Sequence, residues 1–307
     1  MHESVLLKEA IDSLNLKEDS LVIDMTLGFA GHSSQILKRI KTGYLFAFDQ
    51  DEEALSYSQK KLETIGTNFK IFDSNFVHAK EKLQELGIEQ VDAILYDLGV
   101  SSPQLDEDYR GFSYHQDAPL DMRMDQDNKM TAKQIVNTYS EKELGRIFTQ
   151  YGESKFSSSI ARNIIRHRQK KEIETTLELV EIIKEAVPMK ERLKKHPAKQ
   201  IFQALRIEVN HELEVLEHSL EDALTLIKPG GRIAVITFHS LEDRIVKQKF
   251  KKVCSTDKIS QGLPNIPKEY LPDFKLITKK GLRPSEEEQE KNHRSRSATL
   301  RVIEKIK

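Results

Sequence analysis

An apolar run that ends in an acid and leads into a turn of small residues constrains the fold of this chain more than any other feature. Residues 21–23 are typical of a buried parallel strand, and they lead through Asp24 into the small-residue turn 26–33. Residues 33–40 then carry apolar side chains at helical spacing. A strand, a tight turn and a helix in this order let a nucleotide approach the backbone of an open α/β sheet.

A second strand supplies an acid where such a site needs one. The apolar residues 44–48 end in Asp49, whose carboxylate suits hydrogen bonds to ribose hydroxyls. The turn alone is a weak signal, because small residues also permit close packing of a helix on a sheet. Together the turn and Asp49 predict a site for a ligand that carries adenosine. Ala30 stands where a dinucleotide fingerprint has its second glycine, and the acidic run 49–53 would repel the ribose phosphate of NADP.

The composition predicts a globular protein of a reducing compartment. Of 307 residues, 38% are apolar and 32% charged, and no apolar run reaches the length of a membrane span. Residues 1–3 open no signal peptide, so we expect a cytoplasmic location and no membrane partner. Cys254 is the single cysteine, which excludes an internal disulfide framework and a cysteine-rich zinc site, and we expect no metal.

Four apolar strand signals, separated by amphipathic helices, predict a parallel, doubly wound α/β sheet. The signals are residues 21–23, 44–48, 69–72 and 91–96. A polar stretch follows at about 105–130, and then helical patterns for which Thr131 and Ser140 are predicted N-caps. The simplest layout is one α/β domain made of residues 1–105 and 200–307, interrupted by a helical insertion at 106–199.

The C-terminal part of the chain returns to the sheet. A long helix is predicted from about residue 200 to 227, stopped by the Pro-Gly-Gly run 229–231. A buried strand follows at 232–238, and two late strand candidates lie at 274–278 and 298–303.

Polar residues follow two of these strands. Asp97 closes the fourth strand, and Ser101, Ser102 and Gln104 lie in the turn after it. Open sheets bind ligands at the carboxyl end of a central strand, although an ordinary strand-to-loop junction with a capping Asp looks the same. Phe76, after the third strand, is placed either to lie against an adenine ring or to join the core.

The run 239–244 and the run 121–125 are also unusual. His239 and Asp243 follow the strand 232–238. A helix that begins with Ser240 as N-cap, with Asp243 completing a capping box, would explain Ser240 and Asp243 but not His239. Residues 121–125 read Asp-Met-Arg-Met-Asp, and packing alone does not explain two exposed Met between charges.

Three basic clusters stand out although the net charge is only −1. A single cluster usually marks a solvated face, but three in a near-neutral chain indicate a surface for a polyanion. The clusters comprise Lys190, Arg192, Lys194, Lys195, His196 and Lys199, then Arg162, Arg166, Arg168, Lys170 and Lys171, and finally Arg294 and Arg296.

Blocks along nearly the whole chain resemble the RsmH (MraW) family, bacterial S-adenosylmethionine-dependent methyltransferases of small-subunit ribosomal RNA. The blocks are residues 2–9, 26–33, 97–106, 110–113, 119–125, 197–198 with 202–207, and 238–247.

The resemblance implies a Rossmann-like, seven-stranded class I methyltransferase domain with an inserted helical domain that recognises RNA. It also implies methylation of the exocyclic N4 of a cytidine in 16S rRNA, at the decoding centre near the P site. The substrate is then 16S rRNA, within the small subunit or a late assembly particle. The protein is expected to be a monomer or a homodimer.

The resemblance further implies S-adenosylmethionine as cofactor. The family's cofactor positions fall on Ala30, Gly31, His32, Asp49, Phe76, Asp97 and Gln104. The family usually has glycine where this chain has Ala30. We expect binding to survive the exchange if the backbone there does not need a positive φ.

The acceptor amine has to be held against the methyl group and has to lose a proton. Many amino-methyltransferases carry an Asp/Asn-Pro-Pro-aromatic motif after this strand, and residues 97–103 do not follow it. The candidates for contacting the amine or the base are Asp97, Ser101, Ser102, His239 and Asp243.

Three alternatives remain at this point. They are a class I methyltransferase with a different acceptor, a non-catalytic ribosome-assembly factor and a nucleotide-dependent oxidoreductase. The basic insertion disfavours the first, and the presence of Gly31, Asp49 and Asp97 disfavours the second. The third lacks a clean dinucleotide turn.

Overall fold

The computed structural model, which describes residues 4–99, 109–194, 196–256 and 270–307, divides into two units. One unit comprises residues 1–99 and 213–307, and the other comprises residues 100–212. The sequence placed the insertion at 106–199. The second boundary lies further along the chain, because the helix Ala198–Asn210 buries its apolar face in the core of the second unit.

Seven strands form one sheet within the described part of the first unit, in the order β3-β2-β1-β4-β5-β7-β6. They are β1 Leu21–Asp24, β2 Tyr44–Asp49, β3 Phe69–Asp73, β4 Val91–Asp97, β5 Ile227–Thr237, β6 Phe274–Leu276 and β7 Thr299–Lys305. Strands β1 to β5 pair in parallel, whereas β7 is antiparallel to both β5 and β6. The predicted parallel sheet is therefore a mixed one, and its topology confirms the class I methyltransferase fold.

Successive side chains of the strands enter two different apolar layers, as the pleat of a strand requires. Val22 packs in one layer with residues of the first two helices, and Ile23 packs in the other with residues that precede and follow β5. Both side chains are fully buried. Burial on both faces explains why the strands read as continuous apolar runs in the sequence.

The helices of the described residues lie before, between and after these strands. They are α1 Leu7–Ser13, α2 Gly31–Arg39, α3 Glu52–Glu63, α4 Ala79–Gln84, α5 Ala132–Thr138, α6 Glu141–Gln150, α7 Ser157–Arg168, α8 Thr176–Ala186, α9 Met189–Arg192, α10 Ala198–Asn210, α11 Glu212–Leu226, α12 Ser240–Val253 and α13 Glu286–Lys291. Short 3₁₀ helices occur at Phe76–His78 and His293–Ser297. Within the described residues, no helix combines the length and the apolar character needed to span a membrane.

The single long helix predicted at 200–227 is wrong, because the chain breaks it into α10 and α11. His211 separates them with a left-handed φ of 51°. The Asn210 side chain holds this end of α10 by donating to the carbonyl of Met122 and accepting from the N–H of Met124. Strand β5 then begins at Ile227, so the Pro-Gly-Gly run lies inside the strand instead of ending the helix.

The second unit begins its helices where the sequence predicted. Thr131 caps α5 and Ser140 caps α6, each through a complete capping box with Gln134 and Glu143. The expectation of two exposed Met at 121–125 is wrong for Met122, which is fully buried in the core of the second unit. The flanking Asp121 and Arg123 pair with each other at 2.7 Å, so that loop motif is structural.

Candidate active site

Three carboxylates meet at the carboxyl edge of the sheet in the first unit. Asp24 ends β1, Asp49 ends β2 and Asp97 ends β4. Because β1 lies between β2 and β4, these strand ends are neighbours. Asp49 and Asp97 were predicted to bind a ligand and Asp24 was not, although all three occupy the same position relative to their strands.

Hydrogen bonds hold the turn after β1 against both neighbouring strands. The N–H of Met25 donates to the carbonyl of Leu95 in β4, and the N–H of Leu27 donates to the carbonyl of Phe48 in β2, each at 2.9 Å. The hydroxyl oxygen of Thr26 accepts from the N–H of Asp97 at 2.6 Å. The turn is thus positioned by backbone and side-chain bonds that do not depend on a ligand.

Asp24 organises the start of α2. Its carboxylate accepts from the Ser33 hydroxyl at 2.6 Å and from the N–H of Thr26 at 3.1 Å. Burial raises the pKa of Asp24 above its ordinary value, against the lowering effect of the Ser33 hydrogen bond. This residue therefore has a structural task, and its full burial gives it no route to solvent.

The turn ends in a backbone conformation that side chains disfavour. Ala30 precedes α2 with φ 52° and ψ 39°, in the left-handed region, and is fully buried. The condition under which the Ala30 exchange was expected to be harmless, a backbone without positive φ, is not met. A Cβ atom at the following residue, Gly31, would overlap the Ser4 side chain, so that glycine is needed for space.

Asp49 is an acceptor for the turn as well as a candidate for ribose. Its Oδ2 accepts from the N–H of Gly28 at 2.8 Å, and its Oδ1 accepts from the N–H groups of Gln50 and Asp51 at 2.8 and 3.0 Å. Desolvation of this half-buried carboxyl raises its pKa to about 6, although the three N–H donors oppose the shift. Oδ2, which accepts only one of these bonds, can accept a further one, so the ribose role of Asp49 stays a prediction.

The buried His32 pairs with the partly exposed Asp97 next to the turn. Nδ1 of His32 lies 3.3 Å from Oδ2 of Asp97. Burial lowers the pKa of His32, but the carboxylates of Asp97 and Asp24 outweigh it, so the pKa lies above its ordinary value. The other oxygen of Asp97, Oδ1, is buried and has no hydrogen-bond partner among the described residues. Because buried polar atoms are nearly always paired, this oxygen points to a ligand.

Phe76 lies at the start of the 3₁₀ helix after β3 and is partly exposed. Its ring meets Tyr96 edge-on, with the centroids 5.7 Å apart. Tyr96 is fully buried and its hydroxyl is 2.7 Å from the Ser219 hydroxyl. One edge of Phe76 is therefore packed in the core. Contact with adenine stays a prediction.

His239 and Asp243 lie at the carboxyl end of β5, and both have structural partners. His239 is the N-cap of α12, and Glu242 completes the capping box by accepting from the N–H groups of Phe238 and His239. The predicted box with Ser240 and Asp243 is therefore wrong. Asp243 instead forms a two-bond ion pair with Arg301 of β7, at 2.7 and 2.9 Å.

Glu242 and Arg301 are partners that the sequence did not predict, for different reasons. The capping residue that pairs with Glu242 is a histidine, which is outside the usual set of N-caps. Arg301 lies 58 residues from Asp243, and only the antiparallel pairing of β7 with β5 brings the two together. Ser101, Ser102 and Gln104 lie outside the described residues, so their predicted roles stay predictions.

The basic clusters differ in how many of their cations pair with acidic side chains. In the cluster on α7, Arg162 faces Glu141 at 3.6 Å and Arg166 faces Glu185 at 3.5 Å. In the cluster around α9, Lys194 pairs with Glu191 at 2.7 Å, and Lys195 lies outside the described residues.

Exposed cations without an acidic partner among the described residues remain in all three clusters, and Lys170 is such a cation in the cluster on α7. Lys190 and Lys199 around α9 are exposed and have no carboxylate within ion-pair distance among the described residues, and the same holds for Arg296 in the 3₁₀ helix His293–Ser297. These side chains keep their charge available for an anion.

One protein family matches the chain over nearly its whole length. Residues 1–306 match the model of a family described as the MraW methylase family.

Solved structures resemble the chain only distantly. An rRNA methylase from Streptococcus thermophilus is 12% identical over 98% of this chain and 94% of its own, with a TM-score of 0.42. NSun6 from Pyrococcus horikoshii is 15% identical over 99% of this chain and 53% of its own, with a TM-score of 0.44. An SAM-dependent O-methyltransferase from Thermotoga maritima is 10% identical over 100% of this chain and 68% of its own, with a TM-score of 0.44. These likenesses are too remote to carry a functional argument.

Proposed function

Because the chain belongs to the MraW methylase family, we propose that it transfers a methyl group from S-adenosylmethionine to N4 of a cytidine in 16S ribosomal RNA, in the decoding centre near the P site. The family resemblance seen in the sequence is confirmed by the match over residues 1–306. The cytidine, the atom N4 and the decoding centre come from that resemblance and form the proposal.

The single observation that carries the proposal is the unpaired buried oxygen of Asp97 at the strand ends that class I sheets use for ligands. Asp97 lies between the turn after β1 and the end of β5. Hydrogen-bond donors of a bound molecule would satisfy Oδ1 there. The residues present therefore fit a methyl donor that carries N–H or O–H groups.

The charges at this edge fit a cationic donor. Asp24, Asp49 and Asp97 place three carboxyl groups at neighbouring strand ends, and His32 is the basic side chain paired with one of them. S-adenosylmethionine supplies a methyl group on a positively charged sulfonium. In a partly desolvated site, opposite charges attract more strongly than they do in water.

The turn and Asp49 are the parts of the edge suited to adenosine. Ala30 and Gly31 form the junction between the turn and α2, and a Cβ atom at position 31 would overlap the Ser4 side chain. Asp49 retains acceptor capacity beside its three N–H donors. We propose that Asp49 accepts from ribose hydroxyls and that Phe76 borders the adenine.

Among the described candidates for contact with the acceptor amine, Asp97 has the strongest case. The carboxylate of Asp243 is held by Arg301, and His239 is engaged at the start of α12. Asp97 combines an unpaired oxygen with a position at the edge formed by the turn, whereas the buried Nε2 of His239 lies 3.0 Å from the carboxylate of Glu242. We assign it to orient the amine or accept its proton, and Ser101 and Ser102 remain candidates beside it.

The acceptor is proposed to be RNA because cations without an acidic partner among the described residues occur in all three basic clusters. Lys190 and Lys199 belong to the second unit, and Arg296 belongs to the first. Phosphate contacts hold a strand without reading its sequence. The target base has to leave its stack to present an amino group to a pocket, which favours a single-stranded or exposed site.

The experiment is transfer of labelled methyl from S-adenosylmethionine to 30S subunits isolated from cells that lack the enzyme, followed by nucleoside analysis. We expect N4-methylated cytidine with the wild-type chain. Asp97→Asn keeps the shape and removes the charge, and we expect it to lower the transfer rate by about 100-fold or more, as loss of a group acting in proton transfer does.

Asp73→Asn is the matched control, because Asp73 ends β3 and is exposed. We expect this variant to transfer at the wild-type rate. Binding of S-adenosylmethionine without transfer to 30S subunits would contradict the proposed acceptor. Methylated adenosine or protein in the product would indicate a methyltransferase with a different acceptor.

A further inference from the structure

A cavity lies in the first unit, at the carboxyl end of β5. It has a volume of about 430 Å³ and is bounded by the start of α12 and by the segment that leads into β7. Arg244 and Lys247 of α12 and Arg283 line it, together with the hydroxyl residues Ser297 and Thr299. None of these residues was assigned a role above.

The lining of this cavity carries an excess of positive charge. Asp243, the one carboxylate among the described residues that line it, is bonded twice to Arg301 and is thereby neutralised. Lys247 and Arg283 have no carboxylate within ion-pair distance among the residues that the structure describes, and both are exposed. Three cationic side chains therefore converge on one space in a chain whose net charge is only −1.

The hydroxyls and cations together match the chemistry of a phosphate group. Arginine and lysine donate charged hydrogen bonds to phosphate oxygens, and Ser and Thr hydroxyls add neutral ones. Arg283 is kept near Ser297 by a long hydrogen bond of 3.5 Å from its guanidinium to the Ser297 carbonyl. That bond leaves most of the guanidinium donors available.

The cavity adjoins the edge that carries Asp97. Ile236 of β5 is the register partner of Asp97, and Phe238, two residues further on, lines the cavity. The ring of Phe238 also faces Gly99, where an added Cβ would lie 3.5 Å from it. Neighbouring strands lie about 4.8 Å apart, so a ligand held in the cavity lies beside the proposed reaction site and not on a remote face.

We propose that this cavity binds a phosphodiester of the substrate strand next to the target nucleotide. The proposal rests on the proposed function, because it takes the substrate to be RNA. Lys247 and Arg283 neutralise the phosphate, and Ser297 and Thr299 add hydrogen bonds to its oxygens. The phosphate contact holds the strand at this edge of the sheet, beside Asp97.

The test is equilibrium binding of 30S subunits and of a single-stranded RNA oligonucleotide to Lys247→Gln/Arg283→Gln, measured over a series of salt concentrations. Loss of one neutralised phosphate is expected to reduce the magnitude of the slope of log K against log salt by about 0.7 to 0.9. At low salt the affinity for RNA is expected to fall at least tenfold, while the affinity for S-adenosylmethionine stays unchanged. In methyl transfer, the loss is expected in KM for RNA and not in kcat.

Lys251→Gln/Lys279→Gln is the matched control. It removes the same two charges, one from the exposed far end of α12 and one from the exposed segment before Arg283, without touching the cavity. Thermal unfolding of both double variants monitors the fold. If the two double variants show the same affinity and the same salt slope, the cavity does not bind the strand and the proposal is overturned.

A further experiment distinguishes a phosphate of the RNA strand from a free phosphate. Inorganic phosphate and a nucleoside monophosphate are titrated against the wild-type chain in the absence of RNA. A cavity that takes these with millimolar or better affinity, with unchanged RNA binding in the double variant, would be a site for a free phosphate and would overturn the strand assignment. If the wild-type chain fails to transfer methyl groups, the proposed function is overturned. The cavity proposal is tested separately, because RNA binding is measured without catalysis.

Discussion

At the scale of single residues, the three carboxylates at the sheet edge have different environments and therefore different tasks. Asp24 is fully buried and bonded to Ser33, so it shapes the turn. The two carboxylate oxygens of Asp49 accept hydrogen bonds from three N–H groups, and the residue is half-buried. Asp97 keeps one buried oxygen without a partner among the described residues. The availability of acceptor atoms, more than residue type, separates the candidate ligand-binding acids from the structural one.

The raised pKa of Asp49 predicts how the binding of S-adenosylmethionine depends on pH. Its carboxyl is raised to a pKa of about 6. Below that pH it is mostly neutral, and above it the charged form offers the stronger acceptor for ribose hydroxyls. We expect the affinity for S-adenosylmethionine to rise about fivefold between pH 5 and pH 7, which corresponds to about 1 kcal/mol for one charge-assisted hydrogen bond.

Calorimetric titration of wild type and Asp49→Asn at several pH values checks this dependence. The amide cannot ionise, so the variant is expected to bind more weakly at pH 7 and to show a flat profile. A variant profile as steep as that of the wild type would assign the dependence to another group, with His32 the nearest candidate.

Ala30 tests whether the turn stores backbone strain. A left-handed alanine costs about 1–2 kcal/mol, and Ala30 adopts φ 52°. Glycine at this position relieves that strain, which offsets the loss of a buried methyl and the greater entropy of the unfolded chain. We expect Ala30→Gly to change the free energy of unfolding by less than about 1 kcal/mol.

Ala298→Gly is the control, because Ala298 is equally buried in the same apolar layer but has φ −65°. There the same exchange relieves no strain, and we expect a loss of about 1–2 kcal/mol. Denaturant unfolding of the two variants gives the comparison. Equal losses at both positions would show that the turn is not strained.

At the scale of secondary-structure elements, the start of α12 is held from two sides. His239 and Glu242 close its first turn, and the ion pair of Asp243 with Arg301 connects it to β7. A second pair, Lys249 with Glu221, connects the same helix to α11. The first pair is two-bonded and largely shielded, whereas the Glu221 side chain is 66% exposed.

This difference leads us to expect unequal coupling energies in double-mutant cycles. For Asp243→Asn with Arg301→Gln we expect about 1–3 kcal/mol, as for a shielded two-bond pair. For Lys249→Gln with Glu221→Gln we expect less than about 1 kcal/mol, as for a solvated pair. Urea unfolding of the single and double variants gives both values. A weaker coupling in the first cycle would mean that Asp243 is held by something other than Arg301.

At the scale of the whole molecule, the chain uses one unit for the candidate active site and inserts another between β4 and α11. The first unit is built on one mixed sheet, and the second has its own apolar core of helices. The chain leaves the first unit just after Asp97, so the insertion begins at the strand end where class I folds place ligands. Unpaired cations occur in both units.

Local signals were sufficient for most elements of the fold. Strands β1 to β4 begin at the residues predicted, because residues buried on both faces leave an apolar run in the sequence. Thr131 and Ser140 cap their helices as predicted, since an N-cap bonds only to residues two or three positions away. The carboxylates Asp49 and Asp97 could be located at strand ends for the same reason.

The sequence by itself determined the class of fold, the family and the edge of the sheet where a ligand is to be sought, because these follow from patterns within about ten residues of each position. Only the tertiary structure decided which side chains at that edge are already engaged. Arg301 holds Asp243 from a strand 58 residues away, and the Asn210 side chain ends α10 by bonding to a loop near Met122. Pairing across such distances leaves no local pattern in the chain, since it arises when strands and helices pack together.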